Sequence, residues 1–192
     1  NALTTSDSFC VHGPPGTGKT RTLGEIIKSA CANNERVLAV SHSNQAVDNL
    51  LVGDSTSDQA DPASIHGAVT ESDLTAARAG HNSSSDLVEE EYVGNSLYQS
   101  DVVCATMSGA NQFGENTFDL AVIDEATQAS IPASLIPVSR AKRVVLAGDH
   151  KQLPPYHAGE HSESEDTAVS LFEHLVERYG QDIVSTLQTQ YR

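Results

Sequence analysis

Two short stretches carry the residue types and spacing that could do chemistry in this chain: Gly13 to Thr20, and the adjacent carboxylates Asp124 and Glu125. Gly13, Pro14, Pro15, Gly16, Thr17, Gly18, Lys19 and Thr20 satisfy G-x-x-x-x-G-K-[ST] at every fixed position. Such a loop cradles phosphate oxygens with its backbone N–H groups and with the N-terminus of the helix it opens. The Lys19 ammonium reaches the β and γ oxygens, the Thr20 hydroxyl holds a magnesium ion, and Arg21 follows at the helix start. That metal needs a second ligand at the end of a buried strand, and "LAVIDEATQA" supplies Asp124 there. Glu125 can orient and deprotonate an attacking water. An adjacent acidic pair of this kind argues for ATP hydrolysis rather than for a kinase.

Other candidate patterns carry less. "HAGEH", residues 157–161, matches the H-x-x-E-H zinc pattern, but that pattern needs a helix to set both histidines on one face. Here it lies in a Pro/Gly/Ser-rich loop and reads as a chance match. The three cysteines, Cys10, Cys31 and Cys104, are far apart and form no C-x-x-C pair. They read as reduced, buried thiols rather than as a disulfide framework or a zinc knuckle. Asn82-Ser83-Ser84 fits the glycosylation pattern in a chain with no export signal.

These residues must be positioned by a scaffold, and its outline is visible. Apolar runs rich in Val and Ile recur at residues 8–13, 36–42, 101–107, 120–125 and 143–149. Strands so continuously apolar belong in a parallel sheet covered on both faces. Helical patterns fall at residues 19–32, at 44–51 with Ser43 as N-cap, and at 168–179. The alternation predicts a doubly wound α/β domain with functional residues at the carboxyl ends of the strands. Residues 53–64, 79–91 and 154–166 are polar and predict loops or a poorly packed insertion.

A chain of 192 residues suits one ordinary domain, and it has no apolar run of about 18 residues and no signal segment. The expectation is a soluble, cytoplasmic monomer with no membrane partner. The 26 Asp and Glu against 11 Lys and Arg leave a net charge of -15. A basic partner would explain this, and so would the lysine-poor surface of a halophilic protein; acids scattered along the whole chain, rather than gathered in one tail, favour the second.

Beyond the phosphate loop, "DEATQA" and then "LAGDHKQLPP" at 146–155 resemble superfamily 1 helicases. The resemblance is closest to the branch with the nonsense-mediated-decay RNA helicase, the immunoglobulin-mu-binding-protein helicase and the Dna-two-type nuclease helicases. "SHSNQAVDNLL" at 41–51 is similar to that group's motif Ia, "DVVCATMSGA" at 101–110 to its motif Ic, and the terminal "TQYR" to the start of motif IV. GPPGTGKT alone is also typical of AAA+ ATPases, which would show a polar sensor strand and a helical lid instead.

The resemblance implies a RecA-like P-loop NTPase domain with a doubly wound, mostly parallel sheet and helices on both faces. It implies ATP and Mg2+, with Lys19 and Thr20 on the phosphates and metal, and Asp124 and Glu125 as metal and catalytic carboxylates. Gln152 would sense the γ-phosphate, Tyr191 stack on adenine and Arg192 contact the γ-phosphate. Ser43, Asn44 and Thr106 would lie near a nucleic-acid backbone; helix capping for Ser43 and Asn44, and core packing for Tyr191, stay open as alternatives. The implied activity is that of an ATP-dependent helicase, hydrolysis being coupled to 5′ to 3′ travel on single-stranded DNA or RNA. A nucleotide switch and an AAA+-type remodelling ATPase are the rival readings. The glutamine motif upstream of the loop and the second RecA-like domain with its arginine finger are expected outside this chain. Residues 1–192 would then be the first motor domain, with a short polar insertion within 53–100.

Overall fold

The computed structural model describes residues 7–14, 16–80, 82–83, 85–149 and 169–187. Strands and helices alternate through its first half as β1 (Ser8–His12), α1 (Lys19–Ala32), β2 (Val37–Ser41), α2 (Asn44–Val52), α3 (Ile65–Ser72), β3 (Ala76–Arg78) and α4 (Asp86–Glu91). The second half continues with β4 (Val102–Thr106), β5 (Phe118–Ile123), α5 (Ile131–Val138), β6 (Ala141–Gly148), α6 (Leu171–Tyr179) and β7 (Val184–Thr186). The described strands form one sheet in the order β3-β4-β2-β5-β6-β1-β7, and every pairing is parallel.

The period-2 geometry of a strand sends successive side chains to opposite faces, and here both faces are buried. Val37 and Ala39 of β2, Val102 and Cys104 of β4, and Leu120 and Val122 of β5 join one apolar cluster. Their neighbours Leu38, Val40, Val103, Ala105, Ala121 and Ile123 join another. Leu23, Ile27 and Ala30 of α1, with Val47, Leu50 and Leu51 of α2, cover the first face. Phe172 of α6, Phe113 and Phe118 fill the second. Each fully buried Leu, Ile or Phe contributes roughly 1.5–3 kcal/mol, so the two-sided core is what holds the strand ends in register.

Cys10, Cys31 and Cys104 are free and buried, and burial pushes all three thiols up to about 12. They are inert core residues, as their spacing suggested.

Helix α1 occupies the predicted residues, and α2 begins where Ser43 was read as its cap. Other boundaries move. β5 stops at Ile123, before Asp124, and α6 begins at Leu171. The polar stretch 79–91, read as loop, contains α4, which is pinned to the core by the fully buried Val88. Residues 53–64 do lack helix and strand.

Candidate functional site

Strand β1 ends at His12, and the Gly13 N–H donates to the Gly148 carbonyl at 3.1 Å, joining the start of the phosphate loop to the end of β6. A Cβ on Gly13 would come within 2.7 Å of Thr17 Oγ1 and 2.8 Å of Lys19 Cγ, so a side chain there would have to push Thr17 and Lys19 out of place. Gly16 and Gly18 take φ of 77° and 79°, the left-handed region that glycine enters without a Cβ penalty. Thr17 Oγ1 donates to the Pro14 carbonyl at 2.7 Å and closes the turn. Lys19 Nζ donates to the Gly13 carbonyl at 2.7 Å.

The start of α1 differs from those of α2 and α6. Ser43 accepts from the Ala46 N–H at 3.1 Å, and Ser170 with Glu173 forms a capping box. Gly18 offers α1 no side-chain cap, and its first turn holds no acidic residue. The orphan N–H groups of that turn, together with Lys19, are donors fitted to an anion.

A cleft of about 410 Å³ opens there, lined by Gly16, Gly18, Lys19, Thr20 and Arg21 from the loop and helix. Gly53, Asp61 and Ala63 line it as well, and sequence reasoning missed them. They are seated by backbone: the Asp61 N–H donates to the Val52 carbonyl at 2.7 Å, and a Cβ on Gly53 would come within 2.4 Å of Asp61 Cβ. No local pattern announces a contact of this sort.

Asp124 and Glu125 follow β5. The Asp124 N–H donates to the Val40 carbonyl at 2.9 Å, and Ser41 Oγ donates to the Asp124 carbonyl at 3.4 Å, so β2 holds the turn. Asp124 Oδ1 accepts from the Glu125 N–H at 2.9 Å. Burial pushes the Asp124 carboxyl up to about 6; the Glu125 N–H opposes that shift, the Glu125 charge adds to it, and the Lys19 charge opposes it. A carboxylate that is costly to charge alone, within the field of the loop lysine, suits a cation ligand. Glu125 sits at φ 53°, ψ 37°, a left-handed conformation that costs a non-glycine residue of order 1–3 kcal/mol and is typical of functional turns. Its Oε2 lies 3.9 Å from His42 Nδ1, a neighbour the sequence did not single out.

Ser43, Asn44 and Thr106 gather at the ends of β2 and β4, where Ser41 pairs with Thr106. Each also has a local bond: Ser43 caps α2, Asn44 Oδ1 accepts from Arg78 Nη2 at 3.0 Å, and Thr106 Oγ1 accepts from the Gly109 N–H at 3.0 Å. The capping reading of Ser43 therefore holds. Pro15, Gln152, Tyr191, Arg192 and the 157–161 histidine pattern lie outside the described residues. Among the described residues no group of three or more His, Cys, Asp or Glu could hold a metal ion by itself.

The chain matches the family described as an AAA domain over residues 1–89 and 63–158. It is 32% identical over 241 residues to the DNA-binding protein SMUBP-2 of Mesocricetus auratus, covering 100% of this chain and 24% of that protein. It is 34% identical over 197 residues to the DNA replication ATP-dependent helicase/nuclease JHS1 of Arabidopsis thaliana, covering 99% of this chain and 14% of that one. Among solved structures, the PRRSV helicase matches with a TM-score of 0.53 at 17% identity, over 95% of this chain and 30% of that chain. That likeness speaks for the fold alone. The chain thus spans about a quarter or less of the length of these curated relatives.

Proposed function

From the premise that this chain belongs to the AAA-domain family and is a relative of superfamily 1 helicases, we propose that it is the first RecA-like motor domain of an ATP-dependent helicase. The observation that carries the reading is the meeting of the uncapped α1 N-terminus, Lys19 and the Asp124–Glu125 turn at one end of the sheet. Phosphates would rest on the loop from Gly13 to Thr20, with Lys19 toward the β and γ oxygens. Thr20 and Asp124 would hold magnesium, the rest of its shell coming from phosphate oxygens and water. Bound there, magnesium supplies positive charge against the phosphates in phosphoryl transfer.

Glu125 is the base for the attacking water, and its half-buried carboxylate on a strained backbone supports that role. Gln152 and Arg192 take the γ-phosphate contacts and Tyr191 the adenine, as in the helicases the chain resembles. Single-stranded DNA or RNA runs past Ser43, Asn44 and Thr106, and a second RecA-like domain closes over the nucleotide. Among the described residues no helix is long and apolar enough to cross a membrane, in keeping with a cytoplasmic enzyme.

Strand separation tests the reading. The whole gene product, given ATP and a short duplex with a single-stranded tail, should release the labelled strand, and Lys19→Ala should not. A wild type that hydrolyses ATP but releases no strand from either a 5′- or a 3′-tailed duplex would contradict it.

A further inference from the structure

Asp48 of α2 and Arg78 at the end of β3 are both buried, their side chains 0% and 1% exposed, and Arg78 Nε donates to Asp48 Oδ1 at 3.0 Å. Burying two charges costs several kcal/mol per ion unless their remaining donors and lone pairs are matched. Here they are. Arg78 Nη1 donates to the Ala79 carbonyl, and Ser83 Oγ donates to Asp48 Oδ2 at 3.0 Å. The remaining arm of the fork, Nη2, donates to Asn44 Oδ1 at 3.0 Å.

That last bond has a chemical consequence. A guanidinium carries donors and no acceptor, so the Asn44 atom facing it must be the amide oxygen. Asn44 is exposed at the start of α2, and its NH2 is left as the outward half. With its oxygen committed to Arg78, the side chain has only its two N–H donors to offer a ligand. Donors in fixed orientation suit phosphodiester oxygens, which position a strand without reading its sequence.

We infer that Arg78, held by Asp48, is a positioning residue that locks the Asn44 amide with its NH2 toward the phosphate backbone of a single strand. The inference rests on the strand-binding reading above. It places at the end of β3, a strand that no sequence pattern announced, the residue that orients a contact on α2. Lysine cannot replace it, since one ammonium on a flexible stem does not reach Asp48, Ala79 and Asn44 in one plane.

The test follows ATP turnover of the whole gene product against increasing dT20 or U20, and whichever oligonucleotide stimulates the wild type is used for the variants. Asn44→Ala and Asn44→Asp, the second keeping an acceptor for Arg78 while losing the NH2, should raise the half-saturating concentration about 10-fold or more. Maximal turnover should stay within about two-fold of wild type, which a general loss of structure would not allow. Arg78→Lys should raise the half-saturating concentration similarly, and add nothing in the Asn44→Ala background, because both remove the same oriented donor. Should Arg78→Lys fail to fold, Arg78→Met with Asp48→Leu removes both charges together and carries the same comparison. Wild-type half-saturation in Asn44→Asp, or full additivity of the Arg78 and Asn44 changes, overturns the inference. No stimulation of wild type by either oligonucleotide overturns the strand-binding reading itself.

Discussion

Lys19 Nζ and the carbonyl oxygen of Gly13 are 2.7 Å apart, so the first residue of α1 reaches back across the loop to its first glycine. The ammonium is thereby held over the same backbone that would receive the phosphates. Lys19→Ala removes that cation and leaves the α1 dipole and loop N–H groups in place. ATP affinity should fall about 10- to 100-fold, the worth of one charge-assisted contact. Titration with a fluorescent ATP analogue measures it, and affinity within two-fold of wild type would remove Lys19 from the site.

Asp124 titrates at about 6 in the folded chain against an ordinary 3.8. The folded state therefore binds this proton more tightly than the unfolded state, so the carboxyl lowers stability as pH rises from about 4 to 6 and holds it down above that. Asp124→Asn should stabilise the fold at pH 7.5 by about 1–2 kcal/mol once partial solvent exposure is allowed for, seen as a higher melting temperature, and should change stability little at pH 4. Thermal unfolding at both pH values, without nucleotide or magnesium, checks this. A lower melting temperature at pH 7.5 would contradict it.

Gly67 of α3 faces the polar stretch before it, and a Cβ there would stand 1.9 Å from the Pro62 carbonyl oxygen. The obstacle is backbone, so Gly67→Ala must displace the segment that brings Asp61 and Ala63 to the cleft. A loss of about 1–3 kcal/mol in urea unfolding is expected, with weaker nucleotide binding beside it. Unchanged stability would show that residues 61–63 are not packed as described.

What the sequence made legible follows from how locally each feature is encoded. Helix α1 has a phosphate loop before it and apolar residues at helical spacing, so both its ends could be read. Ser43 was readable as a cap because capping involves only the next three residues. β3 and β7 are three residues each, at the sheet edges, and too short to show a period. In α4, "DLVEEE", the acids hid a helix whose only buried residue is Val88. α5 carries Pro132 at its start and Pro137 inside, which masked it. At the site, the phosphate loop and Asp124–Glu125 were plain, whereas His42, Asp61 and Arg78 reach it by contacts distant in the chain.

The acidic surface leads us to propose a protein adapted to salt. With 26 acidic against 11 basic residues, repulsion spreads as the Debye length grows from about 3 Å at 1 M to about 30 Å at 0.01 M. The melting temperature should rise from 0.05 M to about 2 M KCl. A flat or falling curve would end the proposal.

We propose that Glu125 drives ATP hydrolysis and that a nucleic-acid strand stimulates it. Phosphate release by the whole gene product, with and without single-stranded nucleic acid, measures it for wild type and Glu125→Gln side by side. Wild type should accelerate at least about tenfold with strand, while Glu125→Gln binds ATP as tightly and loses about 10² or more of the rate under both conditions. Equal turnover by the two proteins would remove Glu125 from the chemistry, and a wild-type rate indifferent to the strand would show that hydrolysis is not coupled to nucleic acid.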